Sequence, residues 1–489
     1  MKTPRTIKII NLLSDAIKAF LRNEQLGLKG SLDQLDELGG IYIKFLQMIV
    51  LSSSGQQQKN FTELLKVYED SKPDEIDIRV HLKSIAMPGM DKIAELEIKP
   101  FATGSFGQVY KAKLVSGEIV IIKVLRPSVK KYLKYDLRLL KIFSVMYSFI
   151  DRQKIFDFKQ IYKQFRTTSL QETHYLREAE VADYYYQSYK DHNYMVIPKT
   201  FKELSNDQVI VQEHISGISV AKLLTMQNNG IDARLYAKDV FNTDLFTMLE
   251  VIGIELLSKA LVGDILQSDP HPGNIIVLAN NKVALIDFGM TAQLNENRDG
   301  FYGMLVQYQA YYNSGSFSMG DMGLAALKYL SPKLYGAIEG ADRYLDDYFM
   351  MDDERLIDKL KRVTQEVAYE HANKGIVDNM LEQNLIMRIL FFVMNKDNRF
   401  GFSFDIKSIS FLKASQGYLT LIGQFDVDCE LVKSVINGAV EFGQLNMMKV
   451  IDSQDQTIEL FESMEILSTW LDKMSRNDPW LATQLVGGL

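Results

Sequence analysis

Apolar residues recur at two different periods along this chain, and the changes of period divide it. Over residues 1–85 the pattern is helical: Ile10, Leu13, Ile17, Phe20 and Leu21 fall at spacings that share one helix face. The stretch is interrupted by SSSGQQQKN at 52–60, which reads as a linker. From about 95 to 125 the period drops to two, so ELEIKPF, GQVYKAKLV and EIVIIKVL are predicted strands separated by Gly and Ser-Gly turns. A helical pattern returns over roughly 130–190. DQVIVQEHI (207–215) is a further predicted strand, with Gly217 after it as a hinge. Helices dominate from about 218 to the end, and the last 50 residues, with TIELFESMEILSTWLDKM, read as amphipathic helices. The chain has neither an internal repeat nor a low-complexity tract.

One segment breaks the second helical region. In SDPHPGNIIVLANNKVALIDFGM, two apolar runs, Ile275 to Ala279 and Val283 to Ile286, flank the turn-forming pair Asn280-Asn281. Folded as a hairpin, they bring Asn274 and Asp287 to the same open end. A carboxylate and an amide oxygen there suit a hard cation such as Mg²⁺. Asp269, five residues before Asn274, completes a D-x4-N…DFG constellation. That is the base and metal apparatus of kinase-like phosphoryl transfer.

Bulk properties narrow the classes. At 489 residues the chain can hold two or three domains, or one bilobal core with extensions. Its 47% hydrophobic and 24% charged content is that of a folded protein. A net charge of −7 argues against a general nucleic-acid binder. The single Cys429 excludes an internal disulfide framework and multi-cysteine metal centres, which points to a cytoplasmic setting. No run approaches the ~18 apolar residues of a spanning helix. The N-terminal 23 residues carry Lys2, Arg5, Lys8, Lys18 and Arg22 against Asp15 alone. Such a basic amphipathic helix either lies on an anionic membrane as a peripheral lipid contact or packs on the protein body with its lysines outside.

The nucleotide-binding chemistry starts in FATGSFGQVYKAKL. Gly104 and Gly107 lie between two predicted strands, where a side-chain-poor loop lets backbone N–H groups approach phosphates. Ala102 stands where a kinase loop has its first glycine; Ser105 and Val109 complete the loop's contacts. Lys123, inside the apolar strand EIVIIKVL, is expected roughly opposite Tyr110 if the hairpin folds about Ser116-Gly117. An ammonium there needs an anion to hold it. Among Glu172, Glu178 and Glu180 of SLQETHYLREAEVADYY, Glu178 is assigned to Lys123, with His174 one turn before it on the same helix face. Glu172 is expected on a different surface of that helix. Asp269 is assigned as catalytic base, and His271 as a donor to the γ-phosphate. Asn274 and Asp287 are the metal ligands. Glu213, at the end of the strand before the hinge, is a further nucleotide contact. ATP and Mg²⁺ are the cofactors these assignments require.

Taken together these residues resemble the UbiB/AarF family of atypical, kinase-like ATPases linked to ubiquinone biosynthesis. FATGSFGQVYKAKL resembles its alanine-rich AAASIGQVYxAxL loop, REAE its REAxN helix, and SDPHPGNIIV with LIDFGM its ADPHPGN and DFGM. ELGGIYIKFLQM resembles its N-terminal LGxxxIKxGQ hallmark through Lys44 and Gln47, and LKASQGYLTLIGQFDVD is similar to its late helical region. The likeness runs from about 35 to 430. It implies that Lys44 and Gln47 lie over the nucleotide, in an extension that blocks protein substrates. It also implies an α+β bilobal protein-kinase-like fold, with a helical N-terminal extension over 1–85, a small β-rich N-lobe over 86–215, a large helical C-lobe over 216–435 and a helical tail over 436–489. Three positions depart from the pattern: Leu46 replaces the glycine of KxGQ, His174 the aspartate of ExD, and Gly104 an alanine of the loop. The first predicts altered packing of that helix, the second removes an acid from the surroundings of Lys44, and the third predicts a more mobile loop.

The resulting expectation is a UbiB-like ATPase or small-molecule or lipid kinase supporting ubiquinone or isoprenoid-lipid metabolism. A conventional protein kinase is disfavoured: no APE follows DFGM, a helical pattern resumes by about 300, and Ser268 replaces the arginine before the base. An antibiotic-type phosphotransferase shares the D-x-H-x-x-N loop but lacks the KxxQ segment and the GQVYKAKL loop. A nucleotide-binding scaffold without turnover is the reading from another class. The sequence names neither a phosphoryl acceptor nor an oligomeric state.

Overall fold

A computed structural model describes residues 5–22, 24–38, 40–51, 73–150, 158–262, 265–268, 271–293, 298–315, 317–349, 355–371, 406–426, 428–447, 460–477 and 483. The chain forms two compact units: Met1–Asp191 with Ile197–Ser216 and Asp287–Met290, and His192–Val196 with Gly217–Ile286 and Thr291–Leu489. Ser216–Gly217 is one of the places where the main chain passes from one unit to the other.

In the first unit, helices α1 (Arg5–Leu21), α2 (Gln25–Leu38) and α3 (Gly40–Leu51) share one apolar core with α5 (Pro127–Ile150) and α6 (Phe158–Gln171). Leu13, Ile17 and Phe20 of the predicted apolar face are buried in that core. Of the two readings of this basic helix, packing on the protein body is therefore the one its apolar face follows. At the start of α1, Arg5 donates to the Leu38 carbonyl at 3.0 Å and lies 3.8 Å from the buried Asp136 carboxylate.

The same unit contains a sheet in the order β1-β3-β4-β6, with β2 paired to β3. Its strands are β1 (Ile93–Leu96), β2 (Ala102–Thr103), β3 (Gly107–Leu114), β4 (Ile119–Leu125) and β6 (Val209–Glu213). Alternate residues Tyr110, Ala112, Val120, Ile122, Val124, Val209 and Val211 face a core closed by Ile78 and Leu82 of α4 (Ile78–Ser84). The β3–β4 register places Lys123 opposite Val109, one residue from the expected Tyr110, which pairs with Ile122. The connection takes three residues, Val115 to Gly117, with the Leu114 N–H bonded to Glu118 and Gly117 at φ +102°. A one-residue slip reverses the face. Lys123 therefore stands on the side of the sheet opposite Tyr110 and its core.

In the second unit, β9 (Ile275–Leu278) and β10 (Lys282–Leu285) form the predicted hairpin, pairing Ile275 with Leu285 and Leu278 with Lys282. Asn280 and Asn281 take left-handed φ values of +60° and +56°, the chemistry for which asparagine suits a tight turn. The Ile286 N–H reaches the Asn274 carbonyl at 2.9 Å, so pairing continues to the residue before Asp287. Two strands of two residues extend this sheet: β5 (Met195–Val196), parallel to β10, and β7 (Ile218–Ser219), antiparallel to β9. Periodicity could not reveal strands so short. A second small pair joins β8 (Ile265–Gln267) to β11 (Thr291–Gln293).

The other described elements of the second unit are helices, from α8 (Val220–Asn228), α9 (Ala233–Phe241) and α10 (Leu245–Val262) to α11 (Arg298–Ser314) and α12 (Met319–Leu330). The series continues with α13 (Pro332–Phe349), α14 (Leu356–His371), α15 (Ile406–Gly423), α16 (Glu430–Met447) and α17 (Leu460–Asn477). Close approaches need glycine: a Cβ on Gly253 of α10 would lie 2.8 Å from Tyr418 and Val435, and one on Gly300 of α11 2.3 Å from the Tyr329 nitrogen. Among the described residues no helix is long and apolar enough to cross a membrane.

Candidate functional site

Three of the assigned residues meet inside the first unit. Lys123 Nζ donates to both Glu178 carboxylate oxygens at 2.8 and 3.1 Å and to Asp287 Oδ2 at 3.1 Å. Glu178 is set by α7 (Tyr175–Tyr189), in whose first turn an acid also meets the positive end of the helix. His174 is not a face residue of this helix. It is the N-cap, with Nδ1 accepting the Arg177 N–H at 3.4 Å, so the histidine takes over a capping role open to the aspartate it replaces. Asp287 is held at a left-handed φ of +67°, and its Oδ1 accepts the Gly289 N–H at 2.9 Å. Phe288 beneath it is buried against Tyr185, with ring centroids 4.7 Å apart.

One cation between two carboxylates distributes charge unevenly. Burial works against the Lys123 charge, yet Asp287 and Glu178 hold its pKa well above the ordinary lysine value. Burial likewise opposes the Asp287 charge, but Lys123 and the Gly289 N–H keep the carboxyl below its usual range. Glu178, whose side chain is only 2% exposed, is pushed by burial up to about 7 against the pull of Lys123. Asp287 is thus the firmly ionised partner, and Glu178 the one that titrates near neutrality.

The glycine-rich loop is a tight turn. Ala102 pairs with Val109, and the Gly104 N–H donates to the Gly107 carbonyl at 2.9 Å. Ser105 is half-buried at its tip. An added Cβ at Gly104 would meet only the Gly107 carbonyl at 3.8 Å, so alanine fits there without displacement. At Gly107 it would lie 2.4 Å from the Tyr175 hydroxyl. Lys44 of α3 forms an ion pair with Glu172 at 2.5 Å and lies 5.0 Å from the centre of the Phe106 ring in the loop. Glu172 sits in the turn between α6 and α7, not on the helix that carries Glu178, which frees it to face Lys44. Gln47 is half-buried one turn along α3, and Leu46 is buried in the α1–α3 core, where the glycine of the family pattern would leave a void.

Sequence reasoning missed how the loop is braced. Asp74 accepts from Arg126 Nε and Nη2 at 2.9 and 2.7 Å, from the Ser128 N–H at 3.0 Å and from its hydroxyl at 3.0 Å. Arg126 also donates to the Gly104 carbonyl at 3.2 Å, and the buried Gln108 side chain exchanges two 3.2 Å bonds with the Asp74 backbone. The segment before α4 is thereby strapped to the base of the loop. An arginine between the end of a strand and a proline, as Arg126 is, was the only local signal.

The remaining assignments stand elsewhere. Glu213 ends β6 with its side chain exposed and accepting the Lys199 N–H at 3.3 Å. In the second unit, His271 caps the Pro272–Asn274 turn by accepting the Gly273 N–H at 3.1 Å, and Asn274 is half-buried at the base of the hairpin. Asp269 lies outside the described residues. Among the described residues no three His, Cys, Asp or Glu side chains form a metal cage. An ionised carboxylate such as that of Asp287 is a ligand type that Mg²⁺ takes beside phosphate and water oxygens.

Residues 70–314 match the family model described as the ABC1 atypical kinase-like domain, just over half of the 489 residues. The chain is 28% identical over 200 residues to Protein ACTIVITY OF BC1 COMPLEX KINASE 7, chloroplastic, of Arabidopsis thaliana, covering 41% of this chain and 27% of that one. It is 27% identical over 269 residues to a probable protein kinase UbiB of Marinobacter nauticus, covering 53% and 47%. An uncharacterized Synechocystis protein is 27% identical over 263 residues, covering 53% and 37%. The chain thus spans less than half the length of these relatives. Among solved structures, a Mycobacterium tuberculosis protein solved with erythromycin has a TM-score of 0.39 at 18% identity, covering 70% of this chain and 88% of that one. With its α+β kinase-like fold and a matching domain that includes Lys123, Glu178, Asn274 and Asp287, the chain belongs to the ABC1 atypical kinase-like family.

Proposed function

We propose that the chain binds a Mg²⁺–nucleoside triphosphate and releases or transfers its terminal phosphoryl group, as a UbiB-type ATPase or a kinase of a small molecule or lipid. The observation that carries this reading is Lys123 held between Glu178 and Asp287 in the first unit. A lysine fixed in this way is a preformed phosphate contact, and in kinases the same pair must be in place for transfer. In this reading Ala102, Gly104, Ser105, Gly107 and Val109 cradle the phosphates, and Glu213 lies on the base side. Asp269 accepts the acceptor's proton, His271 donates to the γ-phosphate, and Asp287 with Asn274 holds the metal. A bound Mg²⁺ would neutralise charge on the phosphates. Lys44 and Gln47 overlie the nucleotide from the N-terminal extension, so that the acceptor is small or lipidic, within ubiquinone or isoprenoid metabolism. Purified protein should release phosphate from ATP with Mg²⁺ and not with excess chelator. Tight nucleotide binding without turnover, with and without phenolic or isoprenoid lipids, would favour the scaffold instead.

The peripheral membrane contact of this reading lies on α5 and not on α1. The exposed side of α5 carries Lys130, Lys131, Lys134, Arg138 and Lys141 beside Ile142, Val145 and Phe149, and its one acid, Asp136, is buried. Cations with apolar residues on one exposed helix side suit an anionic bilayer. Co-sedimentation with anionic but not neutral vesicles is expected, lost in Lys134→Glu/Arg138→Glu/Lys141→Glu. Unchanged binding by that variant would remove the assignment.

A further inference from the structure

The hydroxyl of Tyr175 is buried without a hydrogen-bond partner, and the residue is 0% exposed. A buried donor left unpaired costs free energy that phenylalanine in the same site would avoid, so it calls for an explanation. Its surroundings are specific. Tyr175 opens α7, three residues before Glu178. Lys123 Nζ stands 5.4 Å from the centre of its ring. The hydroxyl occupies the space that a Cβ of Gly107 would need, at 2.4 Å. The ring packs with Leu125, Ala179 and Ile210, but the oxygen gains nothing from that packing. Burial, outweighing the Lys123 charge, raises the phenol's pKa, so the group keeps its proton and remains a donor.

We propose that the Tyr175 hydroxyl is a phosphate-binding donor, placed beside Lys123 under the glycine-rich loop and satisfied when a nucleotide phosphoryl oxygen enters there. The proposal rests on the nucleotide reading above and adds a binding residue to it. The missing side chain of Gly107 makes room for the hydroxyl itself, which lets it stand directly under the loop. An anion at that position would be bonded by an ammonium and a neutral donor from neighbouring elements, an arrangement suited to phosphate.

The test compares wild type with Tyr175→Phe by calorimetric titration of ATP, ADP and adenosine with Mg²⁺ present. The expected result is a loss of roughly tenfold or more in affinity for ATP and ADP, with adenosine unchanged, because a lost hydrogen bond to a charged group acts only on phosphate-bearing ligands. The melting temperature of the free protein should hold or rise. Equal ATP affinity in the two proteins, or an equal loss for adenosine, would overturn the proposal. A wild type that binds no nucleotide at all would overturn the nucleotide reading and this proposal with it. A second pair separates the local contact from binding. Gly107→Ala should lower the melting temperature, and Gly107→Ala/Tyr175→Phe should recover most of the loss. Absence of recovery would show that the hydroxyl does not fill the space beside Gly107.

Discussion

Asp287→Asn is expected to reduce Mg-ATP turnover about a thousandfold while leaving the fold intact, since a metal-held charge contributes several kcal/mol to the transition state and about 1.4 kcal/mol is a factor of ten. The fold should survive for a specific reason. Asp287 has a φ of +67°, a conformation that asparagine tolerates better than most residues, and the amide oxygen can still accept the Gly289 N–H. What the substitution removes is the ionised oxygen that Lys123 holds at 3.1 Å. Phosphate release beside the melting temperature checks both halves. A variant with more than a tenth of the wild-type rate would take the metal role away from Asp287.

Lys123→Met should be the most destabilising single change at the site, by roughly 3–5 kcal/mol at pH 8, because removing one member of a buried pair strands its partner. The effect should shrink on acidification, and the sign follows from Glu178. Its folded pKa of about 7 already lies above the ordinary 4.5. Without the ammonium it moves higher still. The folded variant then binds more protons than the unfolded chain, so its stability rises as pH falls from 8 towards 5. Lys123 itself, with its pKa raised in the fold, contributes stability that persists to high pH and is lost only as pH climbs through that raised value. The gap between variant and wild type should therefore be widest at alkaline pH and narrower at pH 5. A gap independent of pH, measured by denaturant titration, would mean that Glu178 is not left buried and charged.

Sequence reasoning reached the local elements well and their pairings less well. The strands over 95–125, the helical stretch after them and the Asn280-Asn281 hairpin all follow from periodicity and turn chemistry within a few residues. The Lys123–Glu178 contact was also legible, because an ammonium in an apolar strand demands an anion and the next acidic helix supplied one. The register error at Tyr110 came from a single extra residue in the Val115–Gly117 turn. The Lys44–Glu172 pair was not anticipated: Glu172 was rightly set on a different surface from Glu178, but it stands in a break at Glu172 to His174 and not on the same helix.

By itself, the sequence determined which side chains are candidates for the proposed phosphoryl chemistry and on which kinds of element most of them stand. These depend on side-chain type and on interactions a few residues apart. Tertiary structure alone decided what each buried group meets. It put the apolar side of α1 into a protein core, joined Lys44 to Glu172 across 128 positions, strapped Asp74 to Arg126, and left the Tyr175 hydroxyl unpaired under Gly107. Such pairings follow from long-range packing, where a fraction of a turn or one residue of register chooses the partner. The Asn274–Asp287 hairpin belongs to both accounts: its turn is written locally, whereas the Lys123 ammonium that holds Asp287 ionised comes from a strand 164 residues earlier.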